Sequence, residues 1–375
     1  MIYLDNSATT AVCRAAAEKA VYLMTACFGN PSSLHTLGFR AEQELSAARQ
    51  IVAAWLGVPP GSLVFTAGGT EANNLALLGG AAARRRAGQH IVTTAVEHSS
   101  ILASCDELER QGWEVTRVRP GRDGVITPQQ VLEACREDTA LVSVMLVNNE
   151  TGARFAVDRM IPGIRRVSPQ ALIHCDAVQA AGKLSLNLTR MGVDLATVSG
   201  HKIHAPKGVG ALYIRKGVRI LPRSFGGGQE GGLRCGTQAV PAIAAMGAAV
   251  TALPPPAEQH KLYEKLRDRL LRSLSDRPDM VFHLPDGGVP YLINMSVPGI
   301  RSETMLHFLA EREIYVSSGS ACSKGKKSPV LTAMGLPDRE IDSALRISFS
   351  YENTEEDVDG FVGALKQAAD VLVRK

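Results

Sequence analysis

The sequence lacks the cysteine patterns of a disulfide framework or a structural zinc site. Its seven cysteines are an odd number, and none of them form a C-x-x-C pair. Both features argue against paired bridges and zinc fingers, and no metal site is predicted. Reduced thiols are therefore expected, most of them small core residues, because free cysteine is commonly buried.

Long apolar runs and blocks of one charge are also absent. No stretch approaches the ~20 apolar residues that a membrane span needs, and residues 1–5 turn polar too early for a signal peptide. The 41 basic and 37 acidic residues are spread along the chain, and the densest basic run, 84–86, is expected to be a solvated helix end. These features argue against nucleic-acid and membrane partners and predict a cytoplasmic location.

What the sequence does contain is a regular alternation of β-branched runs and helical patterns. With 375 residues, 45% of them hydrophobic, the chain is long for a single core and predicts two domains. The alternation predicts a largely parallel sheet covered by helices on both faces. The predicted strands are 63–66, 91–95, 114–118, 141–147, 172–176, 195–199 and 209–214.

A proline run at 254–256 interrupts this pattern and predicts a domain boundary. Beyond it, a helix at 257–274, short strands near 281–284 and 292–297 and a helix at 303–311 indicate a smaller α+β domain. We therefore predict a large domain at 13–255. The small domain is predicted to combine residues 1–12 with 256–375.

Lys202 and Cys322 are the two residues whose surroundings point to chemistry. Lys202 closes a Ser-Gly-His-Lys run after a predicted strand, and a buried lysine that can form a Schiff base is the protein's half of pyridoxal phosphate chemistry. Cys322 lies among small residues, where a thiol is a mobile nucleophile. Together they indicate an amine that holds a cofactor and a thiol that attacks what the cofactor activates.

Further polar residues follow strands whose carboxyl ends share one sheet edge, where ligands bind in such folds. Asp176 can pair with a protonated pyridine nitrogen, although a helix cap is equally open at this point. Gln179 can reach the ring's phenolic oxygen, and His98 can stack on the ring and move protons near neutral pH. Gly69 and Thr70 open a helix and suit a phosphate, or form no more than a turn.

Short motifs follow one another in a fixed order along nearly the whole chain. They are Asp5-Asn6-Ser7-Ala8-Thr9-Thr10, Gly29-Asn30-Pro31-Ser32-Ser33, Phe65-Thr66-Ala67-Gly68-Gly69-Thr70-Glu71-Ala72-Asn73-Asn74, Glu97-His98, Val147-Asn148-Asn149-Glu150-Thr151-Gly152, Asp176-Ala177-Val178-Gln179, Ser199-Gly200-His201-Lys202, Arg234-Cys235-Gly236-Thr237 and the run 317–322. This set resembles that of the cysteine desulfurases, which are pyridoxal-phosphate enzymes of the class V aminotransferase fold. The resemblance implies a large α/β domain with a mostly parallel seven-stranded sheet and a smaller α+β domain.

The resemblance also implies a role for each matching residue. Cys322 takes the sulfur of L-cysteine as a persulfide, which an acceptor protein such as a cluster scaffold or a tRNA-thiolation enzyme then receives. A homodimer is implied because the family's site includes residues of both subunits. The implied cofactor residues are Gly69, Thr70, His98, Asp176, Gln179, Ser199, His201, Lys202 and, toward the other subunit's phosphate, Thr237; Asn149 and Arg346 are implied to bind the substrate carboxylate.

Three other functions are compatible with the sequence. The first is a selenocysteine lyase, which uses the same fold and cofactor. The second is an aminotransferase of this fold, which has no need of Cys322. The third is a catalytically silent scaffold for sulfur-transfer partners. The stretch from Cys322 to residue 331 is short for the long-loop branch of the family. The choice of sulfur acceptor therefore stays open at this point.

Overall fold

A computed structural model of the chain describes residues 1–318 and 327–373. Within these ranges the strands are β1 (Ile2–Tyr3), β2 (Leu63–Thr66), β3 (His90–Thr94), β4 (Glu114–Val118), β5 (Thr139–Met145), β6 (Leu172–Asp176), β7 (Leu195–Ser199), β8 (Gly210–Ile214), β9 (Val281–Phe282), β10 (Leu292–Ser296), β11 (Ile314–Tyr315) and β12 (Ala344–Ser348). The α-helices are α1 (Arg14–Thr25), α2 (Thr36–Leu56), α3 (Gly69–Asn74), α4 (Gly80–Arg84), α5 (Ser99–Arg110), α6 (Pro128–Ala134), α7 (Val157–Val167), α8 (Leu188–Met191), α9 (Val240–Ala252), α10 (Pro256–Ser273), α11 (Ser302–Ala310), α12 (Pro329–Ala333), α13 (Asp338–Ile341) and α14 (Glu355–Val371).

The largest sheet contains seven strands in the order β2-β8-β7-β6-β5-β3-β4. Strands β4, β3, β5, β6 and β7 pair in parallel. Strand β8 runs antiparallel to both of its neighbours, β7 and β2. Six strands therefore share one direction, and the mostly parallel seven-stranded sheet predicted from the sequence is confirmed.

Alternate side chains of the central strands enter separate hydrophobic cores on the two faces of this sheet. Leu141 and Leu172 pack in one core together with residues of α5. Their neighbours Val142 and Ile173 belong to the core of the opposite face. The period of two is that of a strand, and the sequence is apolar throughout because both faces are covered.

A three-stranded antiparallel sheet, in the order β12-β10-β9, and the parallel pair β1 and β11 make up the remaining strands described. Helix α14 packs on α10 and α11. Strand β1 thus joins elements from the other end of the chain. The domain division at 13–255, with 1–12 added to 256–375, stays a prediction.

In the described ranges, no single helix has the length and apolar character to cross a membrane. One pair, α9 and α10, meets that test jointly by length and composition, with a 74° bend between its members.

Candidate active site

A cavity of about 950 Å³ lies at the carboxyl ends of the parallel strands of the large sheet. Its wall is completed by the N-terminal segment at Ser7 and by Arg346 of β12 from the small sheet. The edge of the sheet is where the topology places a ligand. Most of the residues predicted for the site line this cavity: Gly69, Thr70, His98, Asn149, Asp176, Gln179, Ser199, His201, Lys202 and Arg346.

Lys202 projects its amine into the cavity from a short 3-10 turn, Gly200–Lys202, directly after β7. The Nζ atom donates to the carbonyl oxygens of Ser7 and Ala8, both at 2.5 Å. The turn requires glycine at Gly200, because a Cβ atom there would lie 2.7 Å from Cγ1 of Val209. The amine is therefore held by backbone of the N-terminal segment, nearly two hundred residues earlier in the sequence.

Asp176 ends β6 and is only 5% exposed. Its Oδ1 atom accepts from the backbone N–H of Val178 at 2.9 Å, and its Oδ2 atom accepts from Nδ2 of Asn73 at 2.8 Å. Both donors hold the carboxylate in one orientation toward the cavity.

His98 caps the N-terminus of α5 and also lines the cavity. Its Nδ1 atom accepts from the backbone N–H of Ser100 at 3.2 Å. Burial lowers the pKa of His98 from its ordinary value; the charge of Asp176 opposes this shift and that of Lys202 adds to it. The ring is consequently biased toward its neutral form.

One end of the cavity suits a phosphate. A Cβ atom on Gly69 would approach Cγ2 of Val178 to 3.1 Å, so glycine lets the start of α3 pack closely against the segment that follows β6. His201 also lines the cavity, and burial, reinforced by Lys202 and other cations, lowers the pKa of its ring to about 4. At neutral pH this ring is uncharged and offers one N–H donor.

Several buried polar atoms on the cavity wall have no hydrogen-bond partner within 1–318 and 327–373. They are Ser7 Oγ, Asn149 Oδ1, Gln179 Oε1 and Ser199 Oγ. Because buried polar atoms in folded proteins are normally paired, these atoms indicate a polar ligand. A phosphate with a pyridine ring and a phenolic oxygen fits the distribution, with Ser199 at the phosphate end and Gln179 beside Asp176.

Comparison with known proteins agrees with this geometry. A family model described as Aminotransferase class-V matches residues 2–361. The chain belongs to the class-V aminotransferase family. This family, with the cysteine desulfurases in it, is dependent on pyridoxal phosphate.

Relatives within the class-V aminotransferases are similar over almost the full chain. A NifS/IcsS protein homolog of Lactobacillus delbrueckii subsp. bulgaricus is 40% identical over 373 residues, which cover 98% of this chain and 97% of the relative. A cysteine desulfurase IscS of Methanosarcina thermophila is 40% identical over 364 residues, covering 96% and 89%. The predicted resemblance to cysteine desulfurases is therefore confirmed.

Solved structures of this family superpose closely. A NifS-like protein has a TM-score of 0.93 at 37% identity and covers 99% of this chain and 100% of its own. The structure titled SspA in complex with cysteine has a TM-score of 0.83 at 33% identity, with 93% and 99% covered.

Arg346, which lines the cavity of this class-V aminotransferase, is 2% exposed. Its Nη1 atom donates to the carbonyl oxygen of Asn149 at 3.0 Å, and its Nη2 atom donates to Oδ1 of Asp5 at 2.9 Å. Burial raises the pKa of Asp5, and the guanidinium opposes that rise. We infer that this fixed guanidinium binds the carboxylate of an amino acid, for which its fork is suited.

Replacing Arg346 with lysine should raise the KM for L-cysteine about tenfold to a hundredfold, with a smaller change in kcat. A lysine keeps the charge beside Asp5 but loses the fork that holds a carboxylate. Steady-state kinetics measure the effect, and Arg269→Lys, a surface residue paired with Asp359, is the matched control. An unchanged KM in Arg346→Lys would show that the carboxylate binds elsewhere.

One predicted site residue in the described ranges does not line the cavity, and another is not described. Thr237 is exposed on the surface and is absent from the lining, which is the placement expected if it serves a second subunit. Cys322 lies outside the described residues. Asn73 and Ser100, by contrast, contact site residues and received no role from the sequence; their only signal was that they fall in or beside the motifs around Thr70 and His98.

Proposed function

We propose that this protein is a cysteine desulfurase that converts L-cysteine to L-alanine and transfers the sulfur, as a persulfide on Cys322, to an acceptor. The observation that carries the proposal is the cavity in which Lys202, Asp176 and His98 face Arg346. Relatives named cysteine desulfurase, similar over nearly the whole chain, support it.

The role proposed for each cavity residue follows from its position. Bound pyridoxal phosphate supplies an aldehyde that captures an amine and a ring that withdraws electrons from the α-carbon. Asp176 would hold a proton on the ring nitrogen, while Ser199, His201 and Thr70 would bind the phosphate. Lys202 would hold the cofactor, and its Nζ would serve as the base for the α-proton of the substrate.

The described residues that precede and follow the segment containing Cys322 contact residues of the cavity wall. Ser317 exchanges backbone hydrogen bonds with Arg346, at 3.2 and 2.7 Å. Ser328 donates to Oε2 of Glu150 at 2.5 Å, and Pro329 lines the cavity. These contacts of the flanking residues at the substrate side of the cavity support the role of Cys322 as the nucleophile.

The sulfur step follows from that placement. The Cys322 thiolate forms a bond to the substrate sulfur as the carbon–sulfur bond breaks. The bonding electron pair stays on the β-carbon, which takes up a proton and becomes the methyl group of alanine. The sulfur atom remains on Cys322 as a persulfide until an acceptor thiolate removes it.

Three of the six cysteines in the described ranges are poor candidates for this role. Burial raises the pKa of Cys105 to about 12 and that of Cys135 to about 11, and it also raises the pKa of Cys175. A thiol held in its protonated form is a weak nucleophile. These free, buried thiols also support a reducing compartment, and we place the protein in the cytoplasm.

Formation of alanine from L-cysteine tests the function. Purified holoenzyme with L-cysteine and a reductant should release alanine and sulfide in equal amounts. Turnover of selenocysteine but not cysteine would favour a selenocysteine lyase, and exchange of an amino group with a keto acid would favour an aminotransferase. No product and no visible cofactor absorbance would favour the silent scaffold. Candidate acceptor proteins are then ranked by how much each accelerates alanine formation.

We further propose a homodimer. Large apolar side chains are exposed in the segment 21–39, including Met24 at 58%, Phe28 at 66% and Phe39 at 58%, and Phe225 is 85% exposed. Exposed apolar clusters are typical of protein interfaces. A second copy of the chain would cover them and would bring Thr237 to the partner's phosphate end.

The paired substitution Phe28→Asp with Phe39→Asp should convert a dimer of twice 40.0 kDa into monomers. Two buried charges at an interface are costly unless paired. Sedimentation equilibrium measures the mass, and Leu284→Asp, at a 41% exposed position of the small-sheet region, is the control. A wild-type protein that sediments as a monomer contradicts the proposal.

A further inference from the structure

Asp176 and His98 are joined by a chain of hydrogen bonds through two other side chains. Nδ2 of Asn73 lies 2.8 Å from Oδ2 of Asp176 and 2.9 Å from Oγ of Ser100. Oγ of Ser100 lies 2.8 Å from Nδ1 of His98. Asn73 is 1% exposed and Ser100 is 7% exposed, so these contacts are shielded from bulk water.

The direction of each hydrogen bond follows from what each group can donate. An ionised carboxylate only accepts, so the Asn73 atom facing Asp176 is the amide nitrogen. The two protons of that nitrogen go to Asp176 and to the Ser100 oxygen. The Ser100 Oγ atom accepts one of these protons, so the hydroxyl donates its own proton to Nδ1 of His98.

Nδ1 of His98 therefore faces two donors from one residue. The backbone N–H of Ser100 points at Nδ1 from 3.2 Å and can only donate, and the Ser100 hydroxyl points at the same atom. An Nδ1 that carried a proton would oppose both of them. The neutral ring must accordingly carry its proton on Nε2.

We propose that Asn73 and Ser100 are positioning residues that hold His98 as the Nε2–H tautomer, so that the ring offers a hydrogen-bond donor, and not a base, to the cavity. The proposal rests on the proposed function, because it assigns His98 a role toward substrate atoms. Proton removal then falls to Lys202. An imidazole at a helix N-terminus that is kept from taking up a second proton stays neutral, and its one N–H can act as an electrophilic donor in this way.

The charges around His98 are compatible with a neutral ring. Burial has the largest effect and lowers the pKa of His98. The charge of Asp176 on β6 raises this pKa, and the charge of Lys202 lowers it. Glu97, its chain neighbour, is itself kept uncharged near neutral pH because burial raises its pKa to about 8. His201 is likewise neutral there, since its pKa is about 4.

The tautomer can be observed without any turnover. Holoenzyme labelled with ¹⁵N-histidine gives long-range ¹H–¹⁵N correlations that separate protonated from unprotonated ring nitrogens, and His98→Gln identifies the His98 signals among the nine histidines. We expect Nδ1 unprotonated and Nε2 protonated at neutral pH. A protonated Nδ1 in the neutral ring of the wild type would overturn the proposal.

Substitutions at Ser100 test the chain of hydrogen bonds from Asp176 to His98, called the relay below. Ser100→Ala should raise the titration midpoint of His98 by about half a unit to one unit, because one of the two donors on Nδ1 is lost. The acidic limb of the kcat/KM profile should move up by the same amount. Ser100→Thr should restore both values, since it retains the hydroxyl.

Ser104→Ala is the matched control, because Ser104 lies one turn along α5 and donates to the Ser100 carbonyl without contacting His98. It should leave the midpoint of His98 unchanged. Equal midpoints in wild type and Ser100→Ala would contradict the relay. A protein that shows the Nε2–H tautomer and the Ser100 shift but makes no alanine from cysteine would contradict the proposed function. It would still support the positioning role of Asn73 and Ser100.

Discussion

Lys202→Ala is expected to lose turnover of L-cysteine by at least about a thousandfold, since the same amine attaches the cofactor and removes the α-proton. The Nζ atom is directed by two backbone carbonyls, those of Ser7 and Ala8, and an alanine cannot replace either contact. The visible absorbance of the lysine-bound cofactor should disappear with it. Stopped-flow absorbance and alanine formation measure the two effects.

The control for this variant is Lys216→Ala, an exposed lysine that does not line the cavity. A buried lysine, Lys183, donates to the Lys202 carbonyl oxygen at 3.2 Å, so the site of attachment needs direct proof. Borohydride reduction of the holoenzyme followed by peptide mass spectrometry should place the cofactor on Lys202. Attachment at Lys183, or normal turnover in Lys202→Ala, would refute the assignment.

Cys322→Ala should retain the cofactor absorbance and its change on adding L-cysteine, yet form no persulfide. Without the thiolate, the carbon–sulfur bond has no acceptor for its sulfur, and alanine formation should fall at least about a thousandfold. Alkylation of the persulfide followed by mass spectrometry measures the loss directly.

Cys13→Ala is the matched control because Cys13 is a partly exposed free cysteine that lies outside the cavity lining. It should form persulfide at the wild-type rate. Persulfide found on a different cysteine of Cys322→Ala, with alanine formed at the normal rate, would transfer the nucleophile's role to that residue.

The elements closest to the cavity were the most predictable from sequence. Strands β6 and β7 begin and end where the apolar pattern places them, because each is buried on both faces and ends at a polar residue, Asp176 or Ser199. The Thr-Pro-Gln-Gln run at 127–130 predicts a capping box at the start of a helix, and that capping box forms between Thr127 and Gln130. Such signals are local, since a few neighbouring residues determine them.

The contacts that complete the site were not predictable in the same way. Ser7 and Ala8 meet Lys202 across nearly two hundred residues, and no local pattern records which backbone carbonyl a distant amine will reach. The link between Asn73 and Ser100 depends on how α3 and α5 pack. The antiparallel direction of β8 is likewise a property of the sheet and not of its apolar run.

The segment that precedes α1 has an outsized consequence for handling the protein. Its residues supply the Asp5 carboxylate beside Arg346 as well as the carbonyls at Lys202, and its Leu4 is fully buried in a hydrophobic core. A single proteolytic cut between residues 4 and 10 would thus disturb both ends of the pocket at once. Detection of the intact N-terminal peptide by mass spectrometry is therefore the quality check for each preparation.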